Sequence, residues 1–350
     1  MKAAMYRGPQ DLRVENVDSP TITAQEAKIR VHACATCGTD AKIFHHGHPR
    51  LEPPQIIGHE IAGEVIEVGS EVEGLLPGDR VQVIAAVPCG ECWACKAGRQ
   101  GICINQTSMG YQYPGGFAEE MVIPHEVLRV DGVNHIPDHV SYDEAAVTEP
   151  LACALNAQKL VSVGEGDTVL VMGAGPIGCL HIRLARAAGA AKVFLADVNG
   201  DRLTLSQDVV QSDRAIDMSK EDLGEVVLAE TDGIGPSVVI TAAPAGAAQE
   251  QALDIVAPGG RVSFFGGLPK DKPTITVDSN VVHYRELIIA GANGSSPAQN
   301  REALGLIASG AVPVEDLITH RLPLDNVQEA IEAVTSGEAI KVVIQPGGGA

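Results

Sequence analysis

Val169-Leu170-Val171-Met172 runs without a break into Gly173-Ala174-Gly175-Pro176-Ile177-Gly178, and no other stretch constrains the fold as tightly. Four apolar residues in a row read as a parallel strand buried on both faces. The glycines predict a tight turn and then a helix, over about 176–188. Gly173 permits the turn, Gly175 lets a phosphate approach the backbone, and Gly178 lets helix and strand pack closely. Pro176 and Ile177 open the helix, whose free N–H groups and dipole favour an anion. A lone G-x-G-x-x-G is weak evidence, but a strand before it and a helix after it supply the required context. Apolar runs at 192–196, 237–241, 261–265 and 286–290 recur with helical patterns between them. That alternation predicts an α/β unit built on an open parallel sheet. Asp197 closes the second strand, about 20 residues beyond the glycines, where a carboxylate binds ribose hydroxyls and repels a 2′-phosphate. The cofactor is therefore expected to be NAD rather than NADP. The expected contacts are Gly173, Gly175, Pro176, Ile177, Gly178 and Asp197, with Arg202 in the next helix.

At 350 residues the chain is too long for one ordinary core, so two domains are expected. The first half reads as strands and turns. Alternating or β-branched runs fall at 28–34, 61–72 and 80–84, and a glycine turn leads into a strand within 115–123. Cys37 is expected at a glycine turn after the first of these. Helical spacing begins at Ser141, an N-cap with Glu144 three residues on. Glu149, ahead of Pro150, is expected to be extended beside a helix start. Helices are expected near 297–309 and 325–336, a strand at 341–344, and an unpacked flexible tail at 347–350. Aromatic residues make up 3% of the chain, so the core must be aliphatic. The net charge of −20 excludes nucleic acid as a partner of the general surface field. No apolar run is long enough to span a bilayer, and MKAAMYRGPQ carries no apolar leader. With eight cysteines, this implies a reducing, cytoplasmic setting with metal-bound or free thiols.

Cys89, Cys92, Cys95 and Cys103 are spaced Cys-x2-Cys-x2-Cys-x7-Cys. Four thiolates this close can form a tetrahedron around zinc with no position left for substrate, which makes a structural site. A disulfide framework belongs to small secreted chains, and iron–sulfur clusters use other spacings. Cys37, His59, Glu60 and Glu149 lie far apart in sequence. One thiolate, one imidazole and one or two carboxylates can form a second, open zinc site with water in the last position.

The chain resembles the zinc-dependent medium-chain dehydrogenase/reductase superfamily, in its polyol (sorbitol-like) and threonine dehydrogenase branch. The resemblance covers residues 1–346. It rests on CGTD at 37–40, GHE at 58–60, the four-cysteine lobe at 89–103, TEPLA at 148–152 and GAGPIG at 173–178. ALGLIASGAV at 303–312 and LITHRLPLDNVQEAIE at 317–332 add to it. It implies a β-rich GroES-like catalytic domain over 1–153 and a Rossmann doubly wound NAD-binding domain over 154–294. The chain then returns to the catalytic domain over 295–346. It further implies two zinc ions per chain, with Cys37, His59 and either Glu60 or Glu149 holding the catalytic one. Asp40 matches the residue that orients His59, and Thr39 matches the hydroxyl that relays the substrate's proton. The implied reaction moves a hydride between NAD and a secondary alcohol, on a polyol or sugar-derived small molecule. Threonine-type and polyol-phosphate dehydrogenases are the alternatives. A non-catalytic NAD-binding protein that keeps only the structural zinc is the rival of another class. The implied assembly is a homo-oligomer, a dimer or tetramer, away from membranes.

Two departures stand out. Lys42 replaces a histidine that related enzymes carry after CGTD or CGSD. Ala292-Asn293-Gly294-Ser295-Ser296 replaces the Arg-Tyr pair with which sorbitol dehydrogenases grip the polyol. The histidine-rich segment 44–50 lies where the family builds its substrate mouth, which favours a charged or phosphorylated substrate or is simply a solvated loop.

Overall fold

The computed structural model describes residues 1–347, so the tail expected at 347–350 lies, Gly347 apart, outside the described residues. The chain forms two compact units: Met1–Ala152 with the segment from Gly294 on, and the intervening Cys153–Asn293. Among the described residues, no helix is long and apolar enough to cross a membrane.

The unit Cys153–Asn293 is built on six parallel strands. Their order is Arg214–Asp217, Lys192–Asp197, Thr168–Met172, Val238–Thr241, Arg261–Phe264 and Ile288–Gly291. Read in chain order this is 3-2-1-4-5-6, the doubly wound arrangement. The order reverses beside Thr168–Met172, the strand that feeds the glycine turn. Arg214–Asp217 is a strand that periodicity alone did not reveal, because its four residues include two charges. Leu170, Met172, Phe194, Val239, Leu253 and Val262 belong to a largely aliphatic core.

The helix Pro176–Ala187 carries an unusual buried residue. His181 is fully buried, and Gln158 Nε2 lies 3.2 Å from its Nδ1 and 2.8 Å from its carbonyl. An amide N–H donates, so Nδ1 accepts and the ring proton sits on Nε2. Nε2 is a buried atom without a hydrogen-bond partner. Burial pushes the His181 pKa down to about 3. The unfolded chain therefore takes up a proton below about pH 6.5 that the folded chain refuses, and stability falls as pH drops through that window. Between pH 6.5 and 5 the loss expected from this residue is about 2 kcal/mol. Urea unfolding at both pH values should show His181→Leu losing correspondingly less than the native chain; equal losses would contradict the assignment.

The other unit is mostly β. Its main sheet runs Val133–His135, Arg80–Val83, Glu60–Val68, Ala27–Ala35, Lys341–Gln345, Ile318–Pro323, with Glu120–Ile123 also paired to Ala27–Ala35. Tyr6, Ile29, Ile61, Val81, Phe117 and Ile344 are among its core residues. Two local expectations change here. Where a glycine turn was expected at Cys37, the residues after it form a helix, Gly38–His46. Glu149 lies in the first turn of the helix Thr148–Leu160 rather than in an extended segment. Pro150 is tolerated there because first-turn N–H groups have no intrahelical acceptor to lose. The capping box at Ser141 forms: its hydroxyl accepts from Glu144 N–H at 3.2 Å, and Glu144 accepts from Ser141 N–H at 2.9 Å.

Candidate active site

Strand register brings the open ligand set together. Ala35, the last residue of Ala27–Ala35, pairs directly with Glu60, the first residue of Glu60–Val68. Cys37 follows one of these strand ends by two residues and His59 precedes the other by one. On the opposite edge Val343 pairs with Ala35, and Thr36 N–H donates to Val342 O at 2.9 Å. Three strand ends therefore meet at one spot. Gly58 makes the approach possible. Its φ is +91°, and a Cβ there would lie 2.8 Å from the Phe117 ring and 2.9 Å from Cys34 Sγ.

One donor atom each from Cys37, His59 and Glu60 lie within 4.8 Å of one another. Asp40 supports two of these residues. Its Oδ2 accepts from Cys37 N–H at 2.8 Å, and its Oδ1 lies 3.3 Å from His59 Nδ1. With Nδ1 turned to Asp40, Nε2 is the ring nitrogen left to bind a metal. Burial pushes the His59 pKa down, but the Asp40 charge and hydrogen bond and the Cys37 sulfur outweigh it and leave the imidazole well above its usual range. Thr39 sits half-buried in the first turn of the helix.

Glu60 is completely buried and pairs with the equally buried Lys341, whose Nζ also donates to Thr36 O at 2.7 Å. Burial raises the Glu60 pKa to about 7 against the pull of Lys341, and Glu149 adds to the rise. Glu149 is thus an electrostatic neighbour, while the carboxylate among the converging donors is that of Glu60. Lys341 was not foreseen, because a lysine heading an apolar strand looks like a solvated end. Tyr111 was missed as well. Its ring centroid lies 6.3 Å from that of His59, and burial raises the pKa of its phenol to about 12.

The four-cysteine lobe closes on itself. Cys92 Sγ lies 3.6 Å from Cys95 Sγ and 3.8 Å from Cys103 Sγ. A zinc tetrahedron with bonds of about 2.3 Å has edges of about 3.8 Å. Backbone N–H groups of Cys89 and Cys92 point at the Sγ of Cys103 and Cys89, at 3.2 and 3.4 Å. A backbone N–H from Cys95 is the main cause that lowers the Cys92 pKa to about 6, while burial raises Cys95 to about 12. Neighbouring thiolates repel, so a cation is what lets all four ionise.

At the glycine turn a Cβ on Gly178 would meet Gly173 O at 1.9 Å, so helix and turn touch there. A Cβ on Gly175 would meet nothing within 4 Å, which leaves room for a ligand against the backbone. Asp197 is largely buried and braces the turn itself. Its Oδ2 accepts from Ala174 N–H at 2.7 Å and its Oδ1 from Asn199 N–H at 2.8 Å. Each oxygen keeps a lone pair for a ribose hydroxyl. Arg202 is half-buried in the next helix, and its backbone N–H donates to the capping Asn199 side chain at 3.0 Å.

Residues 23–132 match the model of the alcohol dehydrogenase GroES-like domain, and residues 176–309 match that of the zinc-binding dehydrogenases. The chain is 32% identical over 350 residues to an L-threonine 3-dehydrogenase of Yersinia pestis, covering 98% of this chain and 99% of that one. Among solved structures it is similar to a Sinorhizobium meliloti protein bound to NADP, with TM-score 0.91, 31% identity and 99% of both chains covered. It is also similar to an alcohol dehydrogenase of Thermus sp. ATN1, with TM-score 0.88, 27% identity and 99% of both chains covered.

Proposed function

This chain belongs to the zinc-dependent medium-chain dehydrogenase/reductase superfamily, and from that we propose that it interconverts a secondary alcohol and its ketone with NAD, on a polyol or sugar-derived substrate. The observation that carries this is the convergence of Cys37, His59 and Glu60, with Asp40 behind the imidazole. A threonine-type substrate is the second reading, favoured by the name of the Yersinia relative.

The donors suit zinc: a thiol, an imidazole and a carboxylate, with the buried Glu60 Oε1 lacking a hydrogen-bond partner. What zinc supplies in such a set is Lewis acidity toward an alcohol or carbonyl oxygen, and what NAD supplies is a hydride acceptor. Cys37 and His59 are assigned to hold the metal, and Asp40 to fix the His59 tautomer and ring orientation. Lys341 holds the charge of Glu60 toward the last strand. Thr39, two residues from Cys37, is assigned the outward passage of the substrate's hydroxyl proton. The four cysteines are assigned a second zinc that only stabilises their lobe. Assembly into a homo-oligomer in the cytoplasm fits this reading. Ile288–Gly291 is a sheet edge with Ile288, Ile289 and nearby Tyr284 exposed, a surface another copy can cover. Sedimentation at the mass of one chain would contradict the oligomer.

The test is turnover of a panel of polyols, amino alcohols and sugar phosphates, read as NADH absorbance on protein carrying two zinc ions. Failure of every member overturns the dehydrogenase reading. For the cofactor, Asp197→Ser should lower the preference for NAD over NADP by about tenfold or more, the worth of one charge-assisted hydrogen bond. The same change removes the acceptor of Ala174 N–H, so some thermal stability should go with it. Equal use of NAD and NADP by the unaltered chain would refute the role of Asp197.

A further inference from the structure

A cavity of about 520 Å³ lies in the mainly β unit, and none of its lining residues belongs to the catalytic cluster, the four-cysteine lobe or the glycine turn. One wall is the helix Pro297–Ala308. Arg301, Leu304, Gly305 and Ala308 line the cavity from it, at the spacing i, i+3, i+4 and i+7 of a single helix stripe. The strand Val133–His135 and the loop around Gly74 supply other walls. Two histidines tie these pieces down. His135 Nε2 lies 3.3 Å from Gly74 O, and His139 Nε2 lies 2.9 Å from Ala308 O. A carbonyl only accepts, so both rings carry a proton on Nε2. The volume falls in the range of small-molecule sites, roughly 300–1,000 Å³, and Leu75, Leu128 and Val133 give it apolar lining.

A row of buried amides ends at this cavity. Asn300 Nδ2 donates to Ser296 O at 3.0 Å, and Gln82 Nε2 donates to Val83 O at 2.9 Å. Those carbonyls can only accept, so they fix which end of each amide is the nitrogen. Gln82 Oε1 therefore accepts from Asn134 Nδ2, at 2.8 Å. Asn134 lines the cavity and is 4% exposed, and its Oδ1 is a buried acceptor with no hydrogen-bond partner among the described residues. Leaving such an acceptor unpaired costs free energy that a donor in the cavity would remove. The lining also carries two carboxylates, Glu73 and Asp131, against one guanidinium. Arg301 Nη2 lies 3.6 Å from Asp131 Oδ2, too far for a hydrogen bond. Gly305 is not required by packing, since a Cβ there would meet nothing within 4 Å. Glycine inside a helix weakens it relative to alanine, and here it leaves volume open beside Leu304 and Ala308.

We infer that this cavity is a second small-molecule site, for an organic ammonium with a compact apolar body. The ammonium supplies donors for Asn134 Oδ1 and for the carboxylates of Glu73 and Asp131, and its body covers Leu75, Leu128 and Leu304. A carboxylate or phosphate would bring a like charge to the same lining and no donor for Asn134. The site lies outside the catalytic machinery, so it holds or falls without the dehydrogenase reading.

The experiment is calorimetric titration of the zinc-loaded chain, without NAD, with cyclohexylmethylammonium and with cyclohexanecarboxylate, which share an apolar body and differ in charge. The ammonium should bind at least about tenfold more tightly. Asp131→Asn combined with Glu73→Gln, two exposed positions, should shrink that preference by about three- to tenfold. Gly305→Leu should abolish binding while the melting temperature holds or rises, because leucine fills the cavity and favours helix. Equal affinity for the two probes, or no binding of either up to about 10 mM, overturns the site. So does an unchanged preference in the charge variant, or ammonium binding that survives in Gly305→Leu.

Discussion

Replacing Cys37 by serine, or His59 by alanine, is expected to leave a folded chain that still binds NAD but turns over at least about a thousandfold more slowly. Lewis-acid stabilisation of developing charge is worth several kcal/mol, and each 1.36 kcal/mol is a factor of about ten. Both residues sit at strand ends rather than inside the sheet, so the register Ala35 to Glu60 should survive their loss. His59→Ala strips fully buried Asp40 of its neighbour, which should cost a further 1–3 kcal/mol or so of stability. Turnover, zinc content and NAD binding measured together decide the case. Near-normal turnover with two zinc ions in Cys37→Ser would remove the catalytic assignment altogether.

Cys95→Ser should do the opposite and damage stability first. The lobe has almost no core of its own. Trp93 and Ile104 are exposed, at 60% and 65%, and its helical pieces are single turns. The metal therefore supplies the stability that burial does not, as in small metal-dependent folds. Loss of a ligand is expected to lower the zinc content by one per chain and the melting temperature by about 10 °C or more, at roughly 2–4 °C per kcal/mol. An unchanged melting temperature after confirmed loss of that zinc would show that the lobe stands without it.

The parts visible in the sequence were those whose partners are near in the chain. Four cysteines within fifteen positions report their own geometry, and so does a glycine run between a strand and a helix. Ser141 and Glu144 cap each other across three residues, and the pattern alone announced it. What stayed hidden depends on distant partners. Lys341 is buried only because Glu60 and Thr36 O await it across the sheet. The helix Gly38–His46 was concealed by a cysteine at its N-cap, an unusual residue there. Asp40 shapes that turn by reaching back to Cys37 N–H. The proline after Glu149 suggested an extended residue, yet in a first turn proline gives up nothing. Asp197 was expected at a ribose and does face the glycine turn, but its brace on Ala174 N–H follows from three-dimensional placement alone. Ile318–Pro323 also escaped notice, since four of its six residues are exposed and only pairing with Lys341–Gln345 marks it as a strand.

Lys341–Gln345 lies in the sheet between Ala27–Ala35 and Ile318–Pro323. On a ribosome, about 280 residues separate the synthesis of Glu60 from that of its counter-charge. At about 5–20 residues per second, that is a wait of roughly 15–60 s. Throughout it the nascent chain holds one stretch of Ala27–Ala35 without its neighbour, an open edge that invites pairing with other chains. The pace of translation, and the chaperones that attend it, thus bear on how much of this enzyme is completed.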